Sequence, residues 1–244
     1  VYDDQEDVSE MFKKYGFIAM PVVDKEHRLV GIITVDDILD VIESETTEDI
    51  ELMAGILDFE QSDKEYLDKS VFQHVKARLP WLMILMVSLM ITGAIISYFE
   101  DMLSQVISLV AYMPLLMGTG GNTGTQASTL IVRGLALDEV DFDDALKVLW
   151  KELRISLCIG LILSVLNFTK IMLIDGEAWN IALTVCISMI LIVAFAKCLG
   201  GMVPMLAKKI GADPALMANP VISSLTDTVS VLIYFLMATL ILGL

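Results

Sequence analysis

The chain has 244 residues, of which 56% are hydrophobic, and a mean hydropathy of +0.71. Soluble domains usually hold about 45–50% apolar residues, so the composition points to a membrane protein. The net charge of −16 is uneven: residues 1–70 carry 20 Asp/Glu against 6 Lys/Arg, and residues 71–244 carry 12 against 10. So acidic a chain argues against nucleic acid as a partner, because neutralising phosphates takes a basic face.

The chain opens at Val1, without Met and without a signal-peptide pattern, in what reads as the middle of a domain, so a preceding part is expected. Residues 18–23 and 29–34 are apolar runs joined by Asp24-Lys25-Glu26-His27-Arg28, which suits a hairpin. A helical stretch follows over 35–42, with Ile38, Leu39 and Ile42 at helical spacing. Thr34, three residues before Asp37, fits an N-cap with an acidic first turn. The string from Met20 to Ile42 resembles the closing part of a cystathionine-β-synthase (CBS) module. That resemblance implies a partial α/β module over 1–42 and an adenine nucleotide such as ATP contacted by Thr34 and Asp37, with capping as the competing role.

Residues 43–70 are dense in acid, including Glu48, Asp49, Glu51 and Asp58. Like charges this close repel, so holding them together costs free energy unless cations bind. A cation-sensing switch and a solvated helical linker both fit. The expected organisation is an acidic connecting helix over 43–78 and an apolar domain over 79–244.

Runs of about 20 apolar residues cross a ~30 Å hydrocarbon core. Residues 79–99 and 102–132 carry no charge; 155–174 carry only Lys170, 178–207 only Lys197, and 214–244 only Asp227. Five crossings are therefore predicted. Lys76, Arg78, Arg133, Lys147, Lys151, Arg154, Lys208 and Lys209 all fall on one side of that arrangement, which places the soluble half in the cytoplasm and the C-terminus outside. Trp81 and Trp179 fall near span ends, where indoles favour the interface. Cys158, Cys186 and Cys198 sit in apolar runs without metal-ligand spacing and read as packed thiols.

Asp227 is the most informative residue. A carboxylate at the centre of a span costs roughly 2.5–3.5 kcal/mol on insertion scales and usually faces a polar cavity. Asn219, Ser223 and Asp227 recur every four residues, with Ser230 three further on, as a polar stripe able to line a water path. The competing account is a buried ion pair with Lys197: counted at 1.5 Å per residue, the two sit about 21 Å and about 15 Å deep, although lysine can also snorkel to the surface. In the second run, Gly120, Gly124 and Ser128 form a small-residue edge for tight helix contact, and Asn122 and Gln126 need polar partners or water. Packing alone and a pore lining that also packs are both open.

Together these runs resemble the magnesium transporter family MgtE, through residues 114–134 with their GGNTGTQ core and residues 211–220 leading to Ser224-Leu-Thr-Asp227. The resemblance implies a mainly α fold, a homodimer with its pore between protomers, and Mg²⁺ as both transported and regulatory ion. It implies ion contacts for Asp227, Asn219 and Asp213, a pore lined by Ser223, Gly120, Asn122, Gly124 and Gln126, and closure when intracellular Mg²⁺ bridges cytosolic acids. Lys197 departs from the neutral amide familiar at that place.

Mg²⁺ gives up its waters reluctantly. Two copies of Asp227 about a dimer axis would hold a hydrated ion, driven by voltage at roughly 4.6 kcal/mol per 100 mV for a divalent charge. The alternative is a secondary transporter exchanging a divalent cation for protons through Asp227. An enzyme is not expected: His27 and His74 lie outside the spans and Asp227 has no second carboxylate at its depth.

Overall fold

The computed structural model describes residues 1–57, 66–217 and 219–244, in two units, Val1–Leu52 and Met53–Leu244. The first unit begins with α1 (Gln5–Tyr15), capped by the Asp4 carboxylate, which accepts from the Glu6 N–H at 3.0 Å. Gly16 ends that helix at φ +64, with its N–H returned to the Phe12 carbonyl at 2.9 Å. β1 (Ala19–Val23) and β2 (Leu29–Thr34) pair antiparallel, Ala19 opposite Thr34. The hairpin closes through Asp24, which accepts from the N–H groups of Glu26 and Arg28 at 2.9 Å and from Arg28 Nε at 2.8 Å. These bonds favour the carboxylate, the Arg28 N–H foremost, and hold Asp24 below its ordinary pKa.

α2 runs from Val35 to Met53, so the helix expected over 35–42 continues through Glu48, Asp49 and Glu51 without a break at the anticipated boundary. At its start the Asp37 carboxylate accepts from the Thr34 N–H at 3.1 Å and from the Thr34 hydroxyl at 2.8 Å. This is the third-position half of a capping box, with the acidic first turn expected there. Asp58 lies outside the described residues.

In the second unit, Gly55 turns the chain at φ +72 beside Trp81, whose indole occupies the space a Cβ would need. α3 (Val71–Tyr98) starts at a capping box of Ser70 and Gln73. The uncharged run 102–132 is two helices rather than one: α4 (Glu100–Gln105) ends at Val106, and α5 (Ser108–Ala136) begins after it. α6 (Ala145–Lys170) starts ten residues before the uncharged run that marked it, after a 3₁₀ turn at Phe142–Asp144, and continues into a π-turn, Ile171–Asp175. α7 (Trp179–Lys209) and α8 (Asn219–Leu242) complete the unit.

Among the described residues four helices are long and apolar enough to cross a membrane: Val71–Tyr98, Phe142–Asp175, Trp179–Lys209 and Asn219–Leu242. α5, at 29 residues, is long enough but too rich in Gly, Thr, Asn and Gln to join them. The five expected apolar spans are thus four apolar helices plus one helix of mixed character.

α5 packs on α7 and α8, α6 on α7, and α3 on α8. Leu109, Leu116, Val185, Ile192, Val231 and Phe235 are fully buried in the main core, and Ile131, Leu135, Val148 and Met205 form a smaller cluster. Polar links fix the helix pairs. The Ser164 hydroxyl donates to the Cys186 carbonyl at 2.9 Å while the Cys186 thiol donates to the Ser164 carbonyl at 3.2 Å, binding α6 to α7. Thr92 and Thr228 share a 2.7 Å bond between α3 and α8. Tyr112 of α5 and Lys170 of α6 both donate to Asp175, at 2.9 and 2.6 Å. Cys186 is buried and Cys198 half-buried; Cys158 is exposed on α6, which corrects its reading as a packed thiol.

Candidate functional site: a polar seam between α5 and α8

α5 and α8 run antiparallel, and their contacts form a ladder. The Thr129 hydroxyl reaches Asn219 Oδ1 at 3.5 Å, Gly124 faces Ile222 and Thr226, Gly121 faces Ser223 and Asp227, Gly120 faces Thr226 and Ser230, and the Tyr234 hydroxyl donates to the Leu109 carbonyl at 3.0 Å. The stripe expected on α8 is therefore turned toward α5. Asn219, Ser223 and Asp227 are half-buried along it and Ser230 is fully buried.

Glycine on α5 makes this approach possible. A Cβ on Gly121 would lie 2.9 Å from Ser223 Oγ and 3.8 Å from Asp227 Oδ1. One on Gly120 would lie 2.8 Å from both Ile192 and Thr226 methyl carbons, and one on Gly124 would lie 3.1 Å from the Ala196 carbonyl oxygen. On α7, a Cβ on Gly200 would run into the Gly124 carbonyl. Small residues let helix backbones meet in this way. Gly120 and Gly124 thus face the α7–α8 contact, while Asn122 and Gln126 lie on the exposed side of α5 with Gly118 and Thr129.

The electrostatics single out Asp227. Among the described residues it makes no ion pair, and the buried pair with Lys197 considered from sequence does not form. Lys197 is 4% exposed, so it does not snorkel, and its Nζ lies 3.6 Å from Oε2 of Glu152 on α6. Asp227 is left as a carboxylate without a cation beside glycine backbone, able to accept from water or attract a mobile cation. Buried hydroxyls of Ser128, Thr226 and Ser230 on the α5 and α8 faces have no hydrogen-bond partner among the described residues. The seam thus offers polar oxygens beyond the carboxylate.

The remaining anticipated residues are spread out. Asp213 is exposed in the α7–α8 connection, where its Oδ1 accepts from the Ala215 N–H at 2.7 Å. Glu48, Asp49 and Glu51 lie on α2 in the first unit. Among the described residues no three His, Cys, Asp or Glu side chains come together as a metal-binding group. Sequence reasoning missed Glu152, whose signal was an acid in the otherwise basic stretch before the third uncharged run. It also missed Gly200, whose signal was the Gly200-Gly201 pair inside α7.

A bundle of long apolar helices with a CBS-type α/β segment at its N-terminal end defines a multi-pass helical membrane protein. The divalent cation transporter family MgtE matches residues 113–237, and the CBS domain matches residues 2–44. The chain belongs to the MgtE family of divalent cation transporters. It is 43% identical over 239 residues to a magnesium transporter MgtE of Thermus thermophilus, covering 98% of this chain and 52% of that protein. The proteins of that name from Bacillus subtilis and Enterococcus faecalis are each 38% identical, over 97% and 98% of this chain and 51% of their own lengths. The chain therefore spans about half the length of the curated relatives it matches.

Proposed function

We propose that this chain is the conducting part of a Mg²⁺ transporter, and that the ion passes along the α5–α8 seam beside Asp227. The observation that carries the reading is a half-buried carboxylate in an apolar helix that faces glycine backbone and has no cationic partner among the described residues. Holding a charge there without compensation is costly, and a passing cation supplies the missing compensation.

The pore lies between two protomers of a homodimer. Asn122, Gln126 and Thr129 support this: they are exposed on a single chain, and amide side chains facing hydrocarbon would leave polar groups unsatisfied. A second copy with water between would satisfy them, and the two Asp227 carboxylates would then hold a hydrated Mg²⁺ through its waters, with Asn219 and Ser223 as further acceptors and Asp213 nearer the mouth. α5 also crosses the membrane, second in chain order, shielded from lipid by its neighbours and its partner copy. The basic loops support an N-terminal unit in the cytoplasm and a C-terminus outside. Intracellular Mg²⁺ gates the pore through the acidic segment that includes Glu48, Asp49, Glu51 and Asp58. A completed CBS pair takes ATP at Thr34 and Asp37.

The test is Mg²⁺ uptake into vesicles reconstituted with the protein, at a set membrane potential and without a proton gradient. Uptake that follows voltage supports the channel-like reading. Uptake that needs an opposing proton gradient shows exchange through Asp227 instead, and no uptake in either condition overturns transport by this chain.

A further inference from the structure

Lys197 and Glu152 are a pair of charges buried among the helices that the proposed pathway does not use. They are 4% and 7% exposed, and their closest atoms are 3.6 Å apart. Glu152 Oε2 has no hydrogen-bond partner among the described residues, so the two are coupled by charge rather than by a hydrogen bond. The pair lies in the α6–α7 contact, where a Cβ on Gly201 would stand 3.4 Å from the Glu152 side chain. Another face of α7 at the same level meets the seam. Ala196, next to Lys197, turns its carbonyl to Gly124, Gly124 meets Thr226, and Thr226 precedes Asp227. One helix separates the pair from the seam, a distance on the order of 10 Å. Over that distance, through buried protein rather than solvent, a single charge is felt more than in water.

We propose that the Lys197–Glu152 pair sets the potential that a cation meets at Asp227, and with it the affinity of the pathway for the cation. Paired, the two charges cancel, and the carboxylate of the seam acts on the cation unopposed. With Glu152 neutral, the Lys197 ammonium opposes a divalent cation; with Lys197 neutral, the Glu152 carboxylate adds to its attraction. The inference rests on the transport reading above.

The experiment compares Glu152→Gln, Lys197→Gln and the double variant with the unmodified chain in the same vesicle uptake assay, reading the Mg²⁺ concentration for half-maximal rate. Glu152→Gln is expected to raise it by roughly tenfold, Lys197→Gln to lower it by a similar factor, and the double variant to return it to within about twofold. A merely structural pair would weaken both single variants alike and move the half-saturating concentration in one direction. Shifts of the same sign, or none, overturn the proposal. Should Glu152→Gln fail to reach the membrane, Lys197→Gln against the double variant makes the same comparison, and equal values for those two overturn it. An unmodified chain that moves no Mg²⁺ overturns the transport reading and this inference together, whereas normal uptake with unshifted variants overturns this inference alone.

Discussion

Asp227→Asn separates charge from shape. The amide is nearly isosteric, so the contact with Gly121, where a Cβ would stand 3.8 Å from Oδ1, is kept. The carboxylate has no cationic partner among the described residues, so neutralising it orphans nothing in the protein, unlike the breaking of a buried ion pair, which costs about 3–5 kcal/mol. Folding stability should stay level or rise. Its effect on a cation is different. At ~4 Å a unit charge attracts another by about 1 kcal/mol even at the dielectric of water and by about 4 kcal/mol at an effective dielectric near 20. A divalent ion doubles both figures, so the lower bound, about 2 kcal/mol, is roughly a thirtyfold loss of occupancy at the seam, and two copies of the change in a dimer deepen it. Mg²⁺ uptake at fixed potential and thermal unfolding, measured on one detergent-solubilised preparation divided between the two assays, check both halves. Uptake within twofold of the unmodified chain, with unfolding also unchanged, would refute the idea that this carboxylate attracts the ion.

Gly200→Ala puts a methyl group against the Gly124 carbonyl, a backbone atom that cannot rotate away, and should cost about 1–3 kcal/mol, seen as a lower unfolding temperature in detergent. Thr92→Val leaves the Thr228 hydroxyl without its 2.7 Å cross-helix partner and should cost about 1 kcal/mol by the same measurement. Tyr112→Phe removes one of the two donors to Asp175 while keeping the ring, and should destabilise by a similar amount, whereas Tyr234→Phe should cost more because its hydroxyl is fully buried against the Leu109 carbonyl. In the N-terminal unit, the Thr34 N–H and then the Thr34 hydroxyl hold Asp37 below its ordinary pKa. Its contribution is therefore present above the ordinary aspartate value of about 3.9 and is lost as pH falls through the lower folded value. The difference in unfolding between the unmodified chain and Asp37→Ala should accordingly narrow below about pH 4, and a difference that widens there would contradict the assignment.

Sequence patterning reveals what depends on neighbours along the chain. The hairpin at Asp24, the pair Thr34 and Asp37, and the α8 stripe are all spaced by local geometry, and they fold as that geometry requires. The small-residue edge of α5 is legible for the same reason, but the partner each glycine meets is not. Gly120 and Gly124 contact two other helices while Gly121, one residue along, faces Asp227. Helix boundaries deviate where charge was the guide. α6 begins at Ala145 because its basic residues stand on exposed turns of the same helix, and the run 102–132 breaks at Val106 with no charge to mark it. Lys197 shows the limit most plainly. From sequence it had two destinations, Asp227 or the surface, and it takes neither, because Glu152 lies in a different helix and the α6–α7 antiparallel register alone brings them together.

The crossing of α5 with α7 at Gly124 and Gly200 has no side chain of its own between the two backbones. A joint of this kind has no rotamers to reshuffle, so it resists gradual widening. Such a joint would act as a weld, holding α5 and α7 together as a single strut. If an ion passes along the seam as proposed, the joint that yields is to be sought elsewhere: along the α5–α8 contact, or between the protomers of the proposed dimer.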